Sequence, residues 1–146
     1  MIESMRSIDV DCEFCRIING SAYARVVCQT DVAVAFLPLT PAVLGHTLVV
    51  PKRHVTDLWN VDESLAGLIM QAAVRVSNAV RVALDPDGLN LISSVGEAAS
   101  QTVFHLHFHI VPRWHHDRIG RIWPPSVAYR DDVKDEIAER IRHACE

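Results

Sequence analysis

Phe104-His105-Leu106-His107-Phe108-His109-Ile110 carries three histidines two positions apart, with an apolar residue on either side of each. Strict alternation of this kind predicts a β-strand rather than a helix. Successive strand side chains point to opposite faces. Phe104, Leu106, Phe108 and Ile110 are therefore expected to face a core, and His105, His107 and His109 to share the other side. Same-face neighbours stand roughly 6.6–6.8 Å apart. At that pitch one imidazole can meet a phosphate while its neighbours touch the same ligand or a metal. A solvated polar face is the simpler alternative, but Lys or Thr serves solubility better than histidine at every position.

Around this stretch the chain reads as one domain spanning 1–146, with a core over about 11–125 and a C-terminal irregular segment and helix over 113–146. Gly96 to Gln101 is a small-residue loop feeding the histidine strand, and Pro112 is expected to close it. Ala24 to Gln29 and Val32 to Leu37 read as a hairpin across Thr30-Asp31. His46 to Val50 reads as a short buried strand stopped by Pro51. From Asp62 to Leu84 the three-four spacing of Leu65, Leu68, Ile69, Ala72, Val76, Ala79, Val80 and Ala83 predicts a long helix, ended by Asp85-Pro86-Asp87-Gly88. Leu89 to Ser93 reads as a strand. A last amphipathic helix spans about Asp131 to Ala144, with Val133, Ile137 and Ile141 expected inward. The sum is an α+β fold: about five mostly antiparallel strands, one long helix and a C-terminal helix.

A chain of 146 residues that is 49% hydrophobic can bury a sizeable core. A net charge of −4, with no basic stripe on any element, argues against a nucleic-acid polymer as partner. No segment approaches the ~20 apolar residues of a membrane span, and the polar lead-in Met1 to Cys12 does not read as a signal peptide. The expected location is cytoplasmic, where thiols stay reduced. Of four cysteines, Cys28 and Cys145 read as packing residues. Cys12-x-x-Cys15 reads as half of a metal site, as two buried thiols or as a redox pair. The redox reading lacks the βαβ context it needs.

The run His105-Leu-His107-Phe-His109-Ile-Val111 resembles the signature of the histidine-triad (HIT) nucleotide hydrolases and transferases. Further blocks support the resemblance: Phe14-Cys15-Arg16-Ile17-Ile18-Asn19-Gly20, Ala35-Phe36-Leu37, Gly45-His46-Thr47-Leu48-Val49-Val50-Pro51-Lys52-Arg53-His54, and the loop Gly96 to Thr102. The resemblance implies a HIT-like sheet and a nucleotide substrate. It makes His107 the nucleophile at an α-phosphorus, through a nucleotidyl-histidine intermediate. His109 would contact the phosphate or leaving group. Ser94, Gln101 and Thr102 would face the phosphate, and Phe14, Ile17, Phe36 and Leu39 the base, although plain core packing fits those four equally. His46 is expected to be structural, under its loop. Bacterial-type members with this Cys-x-x-Cys imply a closed structural zinc site of Cys12, Cys15, His54 and His105. The resemblance also implies a homodimer formed through the long helix and an adjacent strand.

The chain departs from the family pattern in three places. Pro38 stands where Hint-type members carry an acidic ribose ligand. Ser94 stands for an Asn. Ser100 and Thr102 replace a Gly and a Ser of the phosphate loop. Phosphoramidates are the expected substrate class. Dinucleoside polyphosphates, with Trp123 lining the leaving-group side, are a second enzymatic reading. A non-catalytic nucleotide- or zinc-binding partner protein is a reading from another class.

Overall fold

The computed structural model describes residue 9 and residues 11–145; most of the polar lead-in lies outside them. The elements are α1 (Glu13–Ile18), β1 (Arg25–Gln29), β2 (Ala33–Leu37), β3 (Thr47–Pro51), α2 (Glu63–Leu84), β4 (Gly88–Ile92), a 3₁₀ turn (Glu97–Ala99), β5 (Phe108–Arg113) and α3 (Asp131–Cys145). The strand order is β1-β2-β3-β5-β4, and every pairing is antiparallel. The α+β expectation holds. β5 inserts between β3 and β4, so the histidine segment enters the middle of the sheet.

Alternation along the strands supplies both faces of the sheet. Ala33, Ala35, Val49, Phe108 and Ile110 pack against Leu65, Ile69, Ala72, Ala73, Val76 and Val80 of α2. Val34, Phe36, Leu48 and Val50 point the other way and pack against Cys12, Phe14 and Cys15. The sheet is thus covered by α2 on one side and by the short α1 on the other, the usual way for a central strand to bury both faces. Asp62 caps α2 by accepting from the Leu65 amide at 2.8 Å, and Asp85 ends it in the left-handed conformation. Of the expected apolar stripe, Leu68, Ala79 and Ala83 remain exposed. No helix among the described residues is long and apolar enough to cross a membrane.

Three expectations are corrected. The histidine strand begins only at Phe108, so His105, on a bend, and His107 both precede it, and Phe104 is 46% exposed. The β3–β5 register pairs Val49 with Phe108; extending it would oppose Leu106 to Pro51, which has no N–H to give. Leu106 instead donates its amide to the Val55 carbonyl. Pro112 does not close β5 but sits within it, opposite Leu89. Beyond Ile110 that strand is bordered by β4 alone, the edge setting in which proline is tolerated. Val133, Ile137 and Ile141 do not face inward: α3 has no buried residue.

Candidate active site and metal centre

A cavity of about 550 Å³ opens on the α1 side of the sheet. Phe14 and Ile17 from α1, Phe36 from β2, Leu39 from the following loop and Thr102 from the loop before the histidines all line it, as do His46, His107 and His109. The Phe14 ring meets His107 edge-on, with centroids 5.2 Å apart at 89°. Pro38 also lines the cavity, and among the described residues that line it Glu13 alone bears a carboxylate.

Backbone partners assign the proton on each imidazole. His107 Nδ1 lies 2.7 Å from the His105 carbonyl oxygen. A carbonyl can only accept, so Nδ1 carries the hydrogen and Nε2 keeps a free lone pair. Burial holds His107 below the ordinary histidine pKa, against the opposing pull of that hydrogen bond, which favours the neutral ring over the imidazolium. His46 Nδ1 accepts from the Ala42 amide at 3.1 Å. Its Nε2 must then donate to His109 Nδ1, 2.8 Å away, which leaves the His109 hydrogen on Nε2. Burial, helped by His107 and His46, lowers the His109 pKa to about 4. The three rings therefore offer one bare nitrogen and one polarised N–H among the groups lining the cavity.

Gly45 makes the His46 position possible. Its φ of +93° is costly for any residue with a Cβ, and a Cβ there would collide with Leu84 Cδ1 and stand 3.2 Å from Pro112 Cγ. The contact with the Ala42 amide fits the expected structural place of His46 under its loop. The structure adds its reach to His109. The Gly-His pair just before β3, the strand paired with β5, was the available signal for that contact. Two other expected phosphate ligands are not turned to the cavity. The Gln101 amide is committed to the loop: Oε1 accepts from Gly96 N at 2.8 Å, while Nε2 donates to the Thr56 and Val103 carbonyls at 2.9 and 3.2 Å. Ser94 lies outside the lining. Trp123 is 84% exposed and also outside it. Arg16, Tyr23 and Thr40 join the lining without having been expected.

Beside the cavity, Cys12, Cys15, His54 and His105 bring two sulfurs and two nitrogens within 4.8 Å of one another. Cys12 Sγ is 3.4 Å and Cys15 Sγ 3.6 Å from His105 Nδ1, and Cys15 Sγ is 3.3 Å from His54 Nδ1. Tetrahedral zinc, with Zn–S of about 2.3 Å and Zn–N of about 2.0–2.1 Å, sets sulfur and nitrogen about 3.5 Å apart. His105 Nε2 donates to the Pro51 carbonyl at 2.8 Å, which aims the Nδ1 lone pair at the thiols, as an outer partner orients a metal-binding histidine. Burial lowers the His105 pKa to about 4 and raises that of the Cys15 thiol. A cation among these four would offset the cost of a buried thiolate, so the donor set fits a metal ion.

Comparison with known proteins agrees with this geometry. A HIT domain family model matches residues 19–116. The chain is 32% identical to an adenylylsulfatase of Arabidopsis thaliana, over 92% of this chain and 70% of that protein. It is 28% identical to an adenosine 5'-monophosphoramidase of Schizosaccharomyces pombe, over 91% of this chain and all of the other. A crystal structure from Streptococcus mutans superposes with a TM-score of 0.90 at 32% identity, covering 99% of this chain and 92% of that one. A zinc-bound histidine triad family protein from Mycobacterium smegmatis superposes with a TM-score of 0.72 at 32% identity, covering 93% and 98%. With the central histidine, its backbone acceptor and the adjoining donor set all in place, the chain belongs to the HIT domain family.

Proposed function

We propose that this protein hydrolyses a nucleoside phosphoramidate, or a similar nucleotide conjugate, at its α-phosphorus. His107 Nε2 attacks phosphorus, and the bond from phosphorus to the leaving amine breaks. The amine nitrogen takes the proton it needs from solvent as it leaves, while the neutral His109 keeps its Nε2–H and hydrogen-bonds with it to the phosphoryl group, held in that tautomer by His46 through the 2.8 Å contact. Water then attacks the nucleotidyl-histidine, breaking the N–P bond and releasing the nucleoside monophosphate with His107 restored. The observation that carries the reading is the 2.7 Å hydrogen bond from His107 to the His105 carbonyl, which leaves the attacking nitrogen bare beside an apolar-walled cavity. The names of the two relatives support a nucleotide conjugate as substrate. With Pro38 in place of an acid, Glu13 is the carboxylate available to a ribose diol.

Zinc is the metal that two thiolates and two imidazoles favour. Held by Cys12, Cys15, His54 and His105, it would tie α1, and with it Phe14 and Ile17, to the histidine segment. The protein is further read as a homodimer through α2 and the edge strand β4, where Leu68, Met70, Leu89 and Leu91 are exposed. The test is incubation of the purified protein with an adenosine phosphoramidate, beside a His107→Ala variant. Release of monophosphate by the wild type alone is expected; equal release by both, or by neither, overturns the assignment.

A further inference from the structure

The active-site cavity crosses the sheet. His109 on β5, Leu48 on β3, Phe36 on β2 and Ala24, just before β1, all line it, and those strands lie side by side in that order. Neighbouring strands stand about 4.8 Å apart, which puts the β1 end on the order of 14 Å from the histidine end. α1 follows the same course. Its N-cap Cys12 stands at His105, with Sγ 3.4 Å from Nδ1, and Phe14 meets the His107 ring. Its last turn lies at the other end: the Arg16 carbonyl accepts from the Ser21 and Ala22 amides at 2.9 and 3.0 Å, in the turn that leads to β1. Among the described residues that line the cavity, Arg16 alone carries a guanidinium or ammonium group. It is exposed and makes no ion pair among the described residues, although Glu13 stands within helical reach three positions earlier. Tyr23 lines the same end, with the Arg25 guanidinium 5.8 Å over its ring.

We propose that Arg16 reads the edge of the nucleobase and selects a purine with a keto group at position 6, so that guanosine conjugates are preferred to adenosine conjugates. The inference rests on the nucleotide reading above and extends it to the base. A nucleotide held with its phosphorus at His107 sends its base toward β1, because the histidines take the opposite end. Guanine presents O6 and N7, two acceptors side by side, which match the donor fork of a guanidinium. Adenine sets N6–H₂ beside N7, a donor against donors. This contact is remote from the bond that breaks and is made alike in ground state and transition state. The discrimination therefore belongs to KM and not to kcat.

The test compares matched guanosine, inosine and adenosine phosphoramidates on the wild type and on Arg16→Met. The wild type is expected to favour guanosine over adenosine by about tenfold in kcat/KM, through KM. Inosine shares O6 and N7 and should rank with guanosine. Arg16→Met, which removes the donors, should bring the three together by a loss on guanosine and inosine. The same ranking is expected in the Kd of the three monophosphates for His107→Ala, which separates this inference from turnover. If no conjugate is hydrolysed but the monophosphates keep their ranking, the phosphoramidate reading fails and the role of Arg16 stands. A wild type that treats guanosine and adenosine alike, inosine ranking with adenosine, a guanosine preference that survives Arg16→Met, or no binding of any monophosphate overturns the proposal.

Discussion

The carbonyl of His105 accepts the Nδ1–H of His107 at 2.7 Å, while the ring of the same His105 points Nδ1 at Cys12 and Cys15. One residue thus serves the candidate metal centre through its side chain and the candidate nucleophile through its backbone. Removing the nucleophile itself should be the most severe change. His107→Ala is expected to lower kcat by on the order of 10⁴-fold or more with little effect on the melting temperature, measured as monophosphate release and by thermal unfolding.

The metal centre should be a matter of stability first. The wild type is expected to bind one zinc per chain. Cys12→Ala should lose it, and its melting temperature should drop by about 5 °C or more. Metal analysis and a thermal scan with and without a chelator check this. Because α1 walls the cavity, KM should rise as well.

Acid should weaken the fold through the two histidines whose rings touch. An unfolded histidine titrates near pH ~6.5. Burial first, then the charge of His107, lowers the pKa of His46. Burial, then His107 and His46, carries His109 down to about 4. Folded pKa values below the unfolded one mean that this stabilisation is complete above pH ~6.5 and is lost as the pH falls from there toward about 4. Urea unfolding at about pH 7.5 and about pH 5 should show a smaller loss for His109→Asn than for the wild type.

Gly45→Ala should destabilise the protein by about 2 kcal/mol, from the positive φ together with the collision at Leu84. The urea midpoint reports it. Activity should fall too, since His46 is the next residue.

Gln101→Ala removes three hydrogen bonds that knit the loop to Thr56, Val103 and Gly96. A cost of about 1–3 kcal/mol is expected. If Gln101 acts on the loop and not on phosphate, the loss in kcat/KM should accompany faster hydrogen exchange over residues 96–103. A loss of activity with unchanged exchange would restore a direct phosphate contact.

Periodicity reads best where one rule acts over many residues. The long run from Leu65 to Val80 showed its face because Leu65, Ile69, Ala72, Val76 and Val80 all bury against one side of the sheet. It reads worst where a partner strand ends. Nothing within residues 104–107 says that Pro51 will halt the ladder opposite them, and nothing within α3 says that its apolar stripe finds no partner in its own chain.

The order of residues alone determined the α+β class, the histidine cluster, and the Cys-x-x-Cys and loop blocks that place the chain in its family, because these are properties of local spacing and residue chemistry. Only the tertiary structure decided which nitrogen of each histidine is bare, that His46 reaches His109, that Gln101 serves the loop, and that the Cys12–Cys15 pair and the distant His54 and His105 bring their donor atoms within 4.8 Å of one another. Those facts depend on which backbone carbonyl or amide stands opposite each ring, and that is set by strand register and chain folding, not by the residue's neighbours in sequence.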